Sequence, residues 1–341
     1  MPFKAVGLTT HIYNNNLRSA ILLAGFPVLI FGMIYAFCFG AAKFGLLSGK
    51  AEPMQAALHA GWAMSLQYGH WAVIAAAAWF VIAYFSHTRM IQKMTDAAPV
   101  TYKEEPKLYS LLENLCISRG LTMPSFQIIE SPALNAFASG INDKTYAITV
   151  TRGLLDTLED DELEAVLAHE LTHIMNRDVR LLIISVVFVG MISFFCEMAF
   201  RSLIYGGRAR RSSSSNNKNS GGLMILAFAI MVIGYLFAIV IRFAISRKRE
   251  YLADAGAVEL TKNPEAMMRA LMRISGHDEI KDLPEDVEMM CIENSTGFMH
   301  MFATHPPIEK RIQVLSEMTD TPVPALHAKA GANNDGNPWA N

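Results

Sequence analysis

Between Leu223 and Ile241 the chain runs the length of a membrane-crossing helix without one charged side chain. About 20 apolar residues in helical form cross the hydrocarbon core of a bilayer. In water such a stretch would have to be buried on every side. A second stretch, Leu181 to Phe200, meets its first charge only at Glu197. A low-complexity polar segment, Gly206 to Gly222, separates the two, so they read as a membrane hairpin rather than as two core helices of a soluble domain. Two more apolar stretches precede them. Ser19 to Ala42 is long enough to span, and Trp71 to Phe85 becomes so when extended back to Ala60. The first is longer than the apolar core of a signal peptide and is not followed by a small-residue cleavage site. Four spans are therefore expected. Composition agrees: 52% of the 341 residues are hydrophobic and 18% charged.

Other classes drop out. A net charge of −2 leaves no basic footprint for nucleic acid. The cysteines, Cys38, Cys116, Cys196 and Cys291, lack the paired spacing of a disulfide framework or a thiolate metal site. Lys and Arg are denser on the N-terminal side of the spans, at Lys4, Arg18, Arg89, Lys93 and Arg242 to Arg249. That bias places the N-terminus and both long polar regions inside. The basic segment after the third span, with Arg208, Arg210 and Arg211, opposes it.

The organisation expected is a two-span membrane region over residues 1–86, with spans at about 19–42 and 60–85. A first catalytic part over 87–180, two further spans over 181–245, a second catalytic part over 246–320 and a disordered tail over 321–341 complete it. In the first polar region, Pro106 to Arg119 has helical apolar spacing, and Phe126–Ile129 and Tyr146–Val150 read as strands. The segment from Asn135 to Gly140 lies between them, ahead of a turn at Asn142–Asp143. A small sheet with a hairpin is expected. Thr157 with Asp160 resembles a capping box, so a helix is expected from Thr157, with an apolar stripe of Leu163, Val166, Leu167, Leu171 and Ile174. Helices are also expected at Pro264–Ile274 and Ile308–Met318.

On the helix from Thr157 stands the pattern H-E-x-x-H, as His169, Glu170 and His173. Residues four apart share a helical face, so both imidazoles can address one ion, and neutral imidazole is a good zinc ligand. Glu170 is placed to take a proton from a water that zinc has acidified. A third protein ligand is needed, and Glu250 and Asp254, again four apart, are the candidates. One would ligate and the other would orient a ligating histidine; a solvated acidic pair is the competing reading. Both motifs stand roughly 12–13 Å of helix from the third and fourth spans. A hairpin of those spans would bring them to similar heights, just outside the lipid.

The H-E-L-T-H motif followed by Asn176 and Asp178, the R-E-Y-x-A-D motif at Arg249–Asp254, Asn135-Ala-Phe-Ala, and Thr304-His305-Pro306-Pro307 with Arg311 together resemble the HtpX family of bacterial membrane proteases, relatives of the CAAX prenyl endopeptidases. The resemblance covers most of the chain from about 90 to 315. It implies an α+β, mainly helical fold: four transmembrane helices plus a zincin-type metalloprotease domain with a small β-sheet. It implies one Zn2+ per chain on His169, His173 and Glu250, with Glu170 as general base. Asp254, Asn176, His305 and Arg311 become supporting or transition-state candidates. Asn135, Ala136, Phe137 and Ala138 become an edge strand that holds substrate through its backbone. The implied role is hydrolysis of misfolded or damaged membrane proteins, from the cytoplasmic side of a bacterial inner membrane. The implied partners are the membrane and polypeptide substrates, with a regulatory membrane partner or a second copy of the chain as further candidates. The rival readings are a narrow CAAX-type protease and a non-enzymatic membrane scaffold.

Overall fold

The computed structural model describes residues 8–46, 50–187, 190, 220–243, 248–277, 291–292 and 306–326. Outside the described residues lie most of the third span, the basic segment as far as residue 219, Thr304 and His305, and the tail beyond residue 326.

The chain divides into two compact units. One comprises residues 13–87 and 181–245. It contains α1 (Leu8–Lys43) from Tyr13 onward and the first part of α2 (Met54–Thr95). These two are the helices, among the described residues, long and apolar enough to cross a membrane. The fourth apolar stretch lies inside one continuous helix, Ser220–Phe243, whereas the third is helical as far as residue 187. Leu66, Trp71, Ile82 and Phe85 of α2 are exposed, as a lipid-facing surface requires. Between helices the contact is made by small residues. A Cβ on Gly61 would stand 2.9 Å from the backbone of Phe39, so only glycine lets α1 and α2 come this close. Trp62 beside it packs edge-on against Phe31 and Tyr35.

The other unit comprises residues 1–12, 88–180 and 246–341. Its elements are β1 (Ala98–Pro99), α3 (Pro106–Arg119), β2 (Ser125–Ile129), β3 (Ala136–Ser139), β4 (Ala147–Thr151), α4 (Arg152–Thr157) and α5 (Asp160–Met175). The helix α6 starts at residue 178. After the Ser220–Phe243 helix, here α7, come α8 (Lys248–Thr261), α9 (Pro264–Ile274) and α10 (Ile308–Thr319). The sheet order is β1-β2-β4-β3. β2 runs parallel to β4, and β3 antiparallel to it. The expected hairpin is therefore β3–β4, and β3 is an edge strand.

The expected start of the motif helix is corrected. Thr157 ends the short helix α4, and α5 begins at Asp160. The capping box is Glu159 with Glu162: each side chain accepts the other's backbone N–H. Three acids, Asp160, Asp161 and Glu162, then face the positive end of the helix dipole.

Instead of one apolar stripe, α5 is buried almost all round. Ala165 and Ala168, off the stripe, are as inaccessible as Leu167 and Leu171. The helix packs against α3, α8, α9 and β3, and small side chains on its second face let α8 and α9 approach. Its first turn is tied down by charge. Glu162 is fully buried, with Arg273 Nε 2.8 Å from Oε2 and Arg269 Nε 3.3 Å from Oε1. Against α8, the critical position is Gly256. A Cβ there would lie 2.4 Å from Thr172 Cγ2, so this glycine sets how near α8 comes to the motif helix.

Candidate metal centre

That approach brings two four-residue spacings face to face. His169 and His173 point from α5 and Glu250 from α8 into one cluster. The Nε2 atoms of the two histidines are 3.2 Å apart. Glu250 Oε2 is 3.7 Å from the first and 3.6 Å from the second. The imidazole rings are nearly perpendicular, at 86°.

The donor set fits a metal ion. The point equidistant from these three atoms lies about 2.0 Å from each, the length of a zinc–nitrogen or zinc–carboxylate bond. The outer nitrogens strengthen the case. His173 Nδ1 is 3.1 Å from Asp178 Oδ2. His169 Nδ1 is 3.0 Å from Asp254 Oδ1, off the ideal hydrogen-bond line. A carboxylate beside each Nδ1 keeps a proton there, which leaves two Nε2 lone pairs and an anionic oxygen converging on one point. Three electron-rich atoms so arranged call for a cation between them.

The charge balance without an ion points the same way. Burial pushes the His173 imidazole down, but Glu250 and Asp178 outweigh it and lift the group to about 10. Burial likewise lowers His169, and Asp254 and Glu250 more than reverse it. Asp254 would be raised by burial, but Arg311, helped by His169, holds it below its ordinary value. Glu170 differs. Burial raises its carboxyl, the two histidines oppose the rise, and the net direction is upward. A carboxylate so lifted is a better proton acceptor near neutrality than a surface glutamate.

The remaining candidates other than His305 each have a definite place. Asp254 stands behind His169, with Oδ1 beside Nδ1, whereas Glu250 faces the two Nε2 atoms. Asn176 is buried and caps the end of α5. Arg177 then takes a left-handed φ of 58°. The helix therefore breaks before the third apolar stretch instead of running on as the rod of expected length, and the break swings Asp178 back beside His173. Asp178, quoted only as part of a motif, is the site residue that sequence reasoning missed; the signal was an acid following a two-residue helix break. Arg311 is fully buried and grips Asp254 with two nitrogens, Nε to Oδ2 at 2.9 Å and Nη2 to Oδ1 at 2.6 Å. It lies behind Asp254, on the side away from His169. His305 lies outside the described residues.

The strand expected to hold substrate is partly in use. Thr151 N–H donates to Asn135 O, so the odd-numbered residues of this edge turn their backbone groups to β4, and Ala136 and Ala138 turn theirs outward. Ala136 O accepts from Ile292 N–H at 2.9 Å, and Phe137 forms a bridge with Cys291. Asn135 Oδ1 accepts from both Ala136 N–H and Ile292 N–H. Asn135 and Ala136 thus hold the fold together. The N–H of Ala138 meets the Glu170 carboxylate, so at this position the strand edge reaches the candidate base.

Comparison with known proteins identifies the arrangement. Residues 102–319 match peptidase family M48, the segment that carries all of these groups. The chain belongs to peptidase family M48. Its M48 relatives include a protease HtpX homologue of Bacteroides fragilis strain YCH46, 45% identical over 92% of this chain and 99% of the relative. Homologues of the same name occur in Listeria monocytogenes serotype 4a strain HCC23, at 39% identity over 72% of this chain and 85% of the relative, and in Ligilactobacillus salivarius strain UCC118, at 32% over 91% and 100%. A crystal structure of S. mikatae Ste24p aligns with a TM-score of 0.45 and 19% identity, covering 89% of this chain and 66% of that one. The M48 domain, the HtpX-like sequence and the two apolar helices make this chain a membrane metalloprotease.

Proposed function

We propose that the ion is zinc, one per chain, held by His169, His173 and Glu250, and that the enzyme is an endopeptidase acting on misfolded or damaged membrane proteins. The observation that carries the reading is the triangle of two Nε2 atoms and one carboxylate oxygen, with Glu170 next to His169 on the same buried helix. Two imidazoles and a carboxylate with room for one further ligand form a common donor set of catalytic zinc. Bound zinc would supply Lewis-acid polarisation of the scissile carbonyl and of the attacking water.

The chain's own groups do the rest. Glu170 takes the water's proton at its carboxylate and returns it to the leaving amine. Asp254 and Asp178 keep protons on the outer nitrogens of His169 and His173. His173, with 13% of its side chain accessible, is the least buried of the three ligands, so solvent and substrate enter on its side. An extended substrate segment adds at the outward carbonyl of Ala138, where a backbone hydrogen bond tolerates many sequences.

The relatives' name supports proteolysis, and the motif resemblance carries the quality-control role. The length of α1, α2 and α7 supports three of the four spans; the bacterial inner membrane as the site and the cytoplasm as the side of action rest on the motif resemblance and on the Lys and Arg bias of the sequence. The test is zinc content together with casein cleavage in detergent, for the wild type and Glu170→Gln. One zinc in both, with cleavage reduced about 100- to 10,000-fold in the variant, is the expected result. Equal cleavage by both would remove Glu170 from the mechanism, and a zinc-free wild type would remove the ion.

A further inference from the structure

Arg311 faces two ways. Its Nε and Nη2 hold the two oxygens of Asp254, the carboxylate behind His169. Its Nη1 donates to the backbone carbonyl of Ile292 at 2.8 Å. Ile292 in turn gives its N–H to Ala136 O and to Asn135 Oδ1, on the edge strand. One planar cation therefore joins the support of a metal ligand to the support of the strand. At 0% exposure its side chain touches neither solvent nor substrate. An ammonium group cannot replace it, because a single point charge cannot meet both carboxylate oxygens and a carbonyl beyond them.

We infer that Arg311 is a positioning residue that couples the metal centre to the substrate strand, setting His169 through Asp254 and the β3 edge through Ile292. This rests on the zinc reading above. It assigns to Arg311 a role in two measurable quantities, metal affinity and KM, rather than a contact with the transition state.

The experiment uses the full chain in detergent micelles. Zinc affinity is read by competition with a chromogenic chelator, and kcat and KM on an unstructured peptide. Arg311→Lys should weaken zinc binding about 10- to 100-fold and raise KM several-fold. Asp254→Asn should weaken zinc to a similar extent with KM near that of the wild type. The double variant should bind zinc no more weakly than Asp254→Asn alone, because both changes act on one contact, while keeping the raised KM. Should Arg311→Lys fail to fold, Asp254→Asn and Ile292→Pro carry the two arms separately, the first expected to weaken zinc binding and the second to raise KM. A fall in kcat with zinc affinity and KM unchanged, or a lower Tm alone, would overturn the coupling while leaving the zinc reading intact. A wild type that binds no zinc would overturn both.

Discussion

Nδ1 of His173 lies 3.1 Å from Oδ2 of Asp178, five residues along the chain and on the far side of a helix break. The contact exists because α5 stops at Met175 and the chain turns through Arg177 before α6 starts. Continued helix would carry residue 178 round by about 500°, some 140° away from the face of His173. Asp178→Asn keeps the shape but removes the charge that fixes the imidazole. Zinc affinity should fall about 10- to 100-fold, measured by chelator competition, with little change in Tm of the metal-free protein. An unchanged affinity would mean that the aspartate only closes the turn.

Metal uptake should expel a proton. Without an ion, Glu250 and Asp178 overcome the burial penalty and lift His173 to about 10, so it is protonated at neutral pH, whereas a ligand must be neutral. The sign follows. Affinity should rise with pH through the neutral range and level off towards about 10, and calorimetric heats should vary with the ionisation enthalpy of the buffer. For the metal-free protein the same elevated value favours folding at low pH. That contribution is complete below the ordinary imidazole value of about 6.5 and is lost as pH rises towards about 10. Heats independent of buffer would show that His173 is already neutral.

Gly256→Ala should push α8 away from α5, because the added methyl would meet Thr172 Cγ2. Overpacking of this kind costs about 1–3 kcal/mol, visible as a lower Tm, and it moves Glu250 out of register with the two histidines. Thr172→Ala removes the clashing atoms and should restore part of both stability and zinc affinity. Two independent, additive losses would show that the two residues do not press on one another.

Glu162→Ala would leave Arg269 and Arg273 facing a buried gap where the carboxylate stood. Breaking a buried ion pair from one side costs about 3–5 kcal/mol. The loss should appear in denaturant midpoints, while zinc affinity of the fraction that stays folded is unaffected. A mild effect, under about 1 kcal/mol, would place the pair among solvated surface bridges.

What could be read in advance was whatever is periodic along the chain. The i, i+4 spacings of His169/His173 and Glu250/Asp254, the apolar runs of the membrane helices and the aromatic and β-branched residues of β2 and β4 all record local geometry. The bounds of α3 and α9 came out residue for residue for the same reason, each opening on a proline, Pro106 and Pro264, at the first turn. What escaped depends on chain segments far apart in sequence. Nothing near Glu162 announces Arg273, and nothing near Phe137 announces Cys291. The cap on α5 was misplaced because Thr157 and Asp160 match the usual pattern in residue type, whereas the glutamate pair, two residues on, makes both bonds. The sequence leaves Arg311 as either a transition-state group or an ion-pairing support; its burial against Asp254 comes from α8 and α10 packing together, which no local pattern encodes.

The bond from Ala138 N–H to Glu170 has one more consequence on the proposed reading. The base and the strand are indexed to each other through a main-chain atom present in every polypeptide. An incoming segment that lies along β3 is therefore held by its backbone, and each register step of two residues presents an equivalent bond to Glu170. Side-chain sequence is then not what selects the bond, and the gate on cleavage would be whether a client can spare a few residues of unravelled chain.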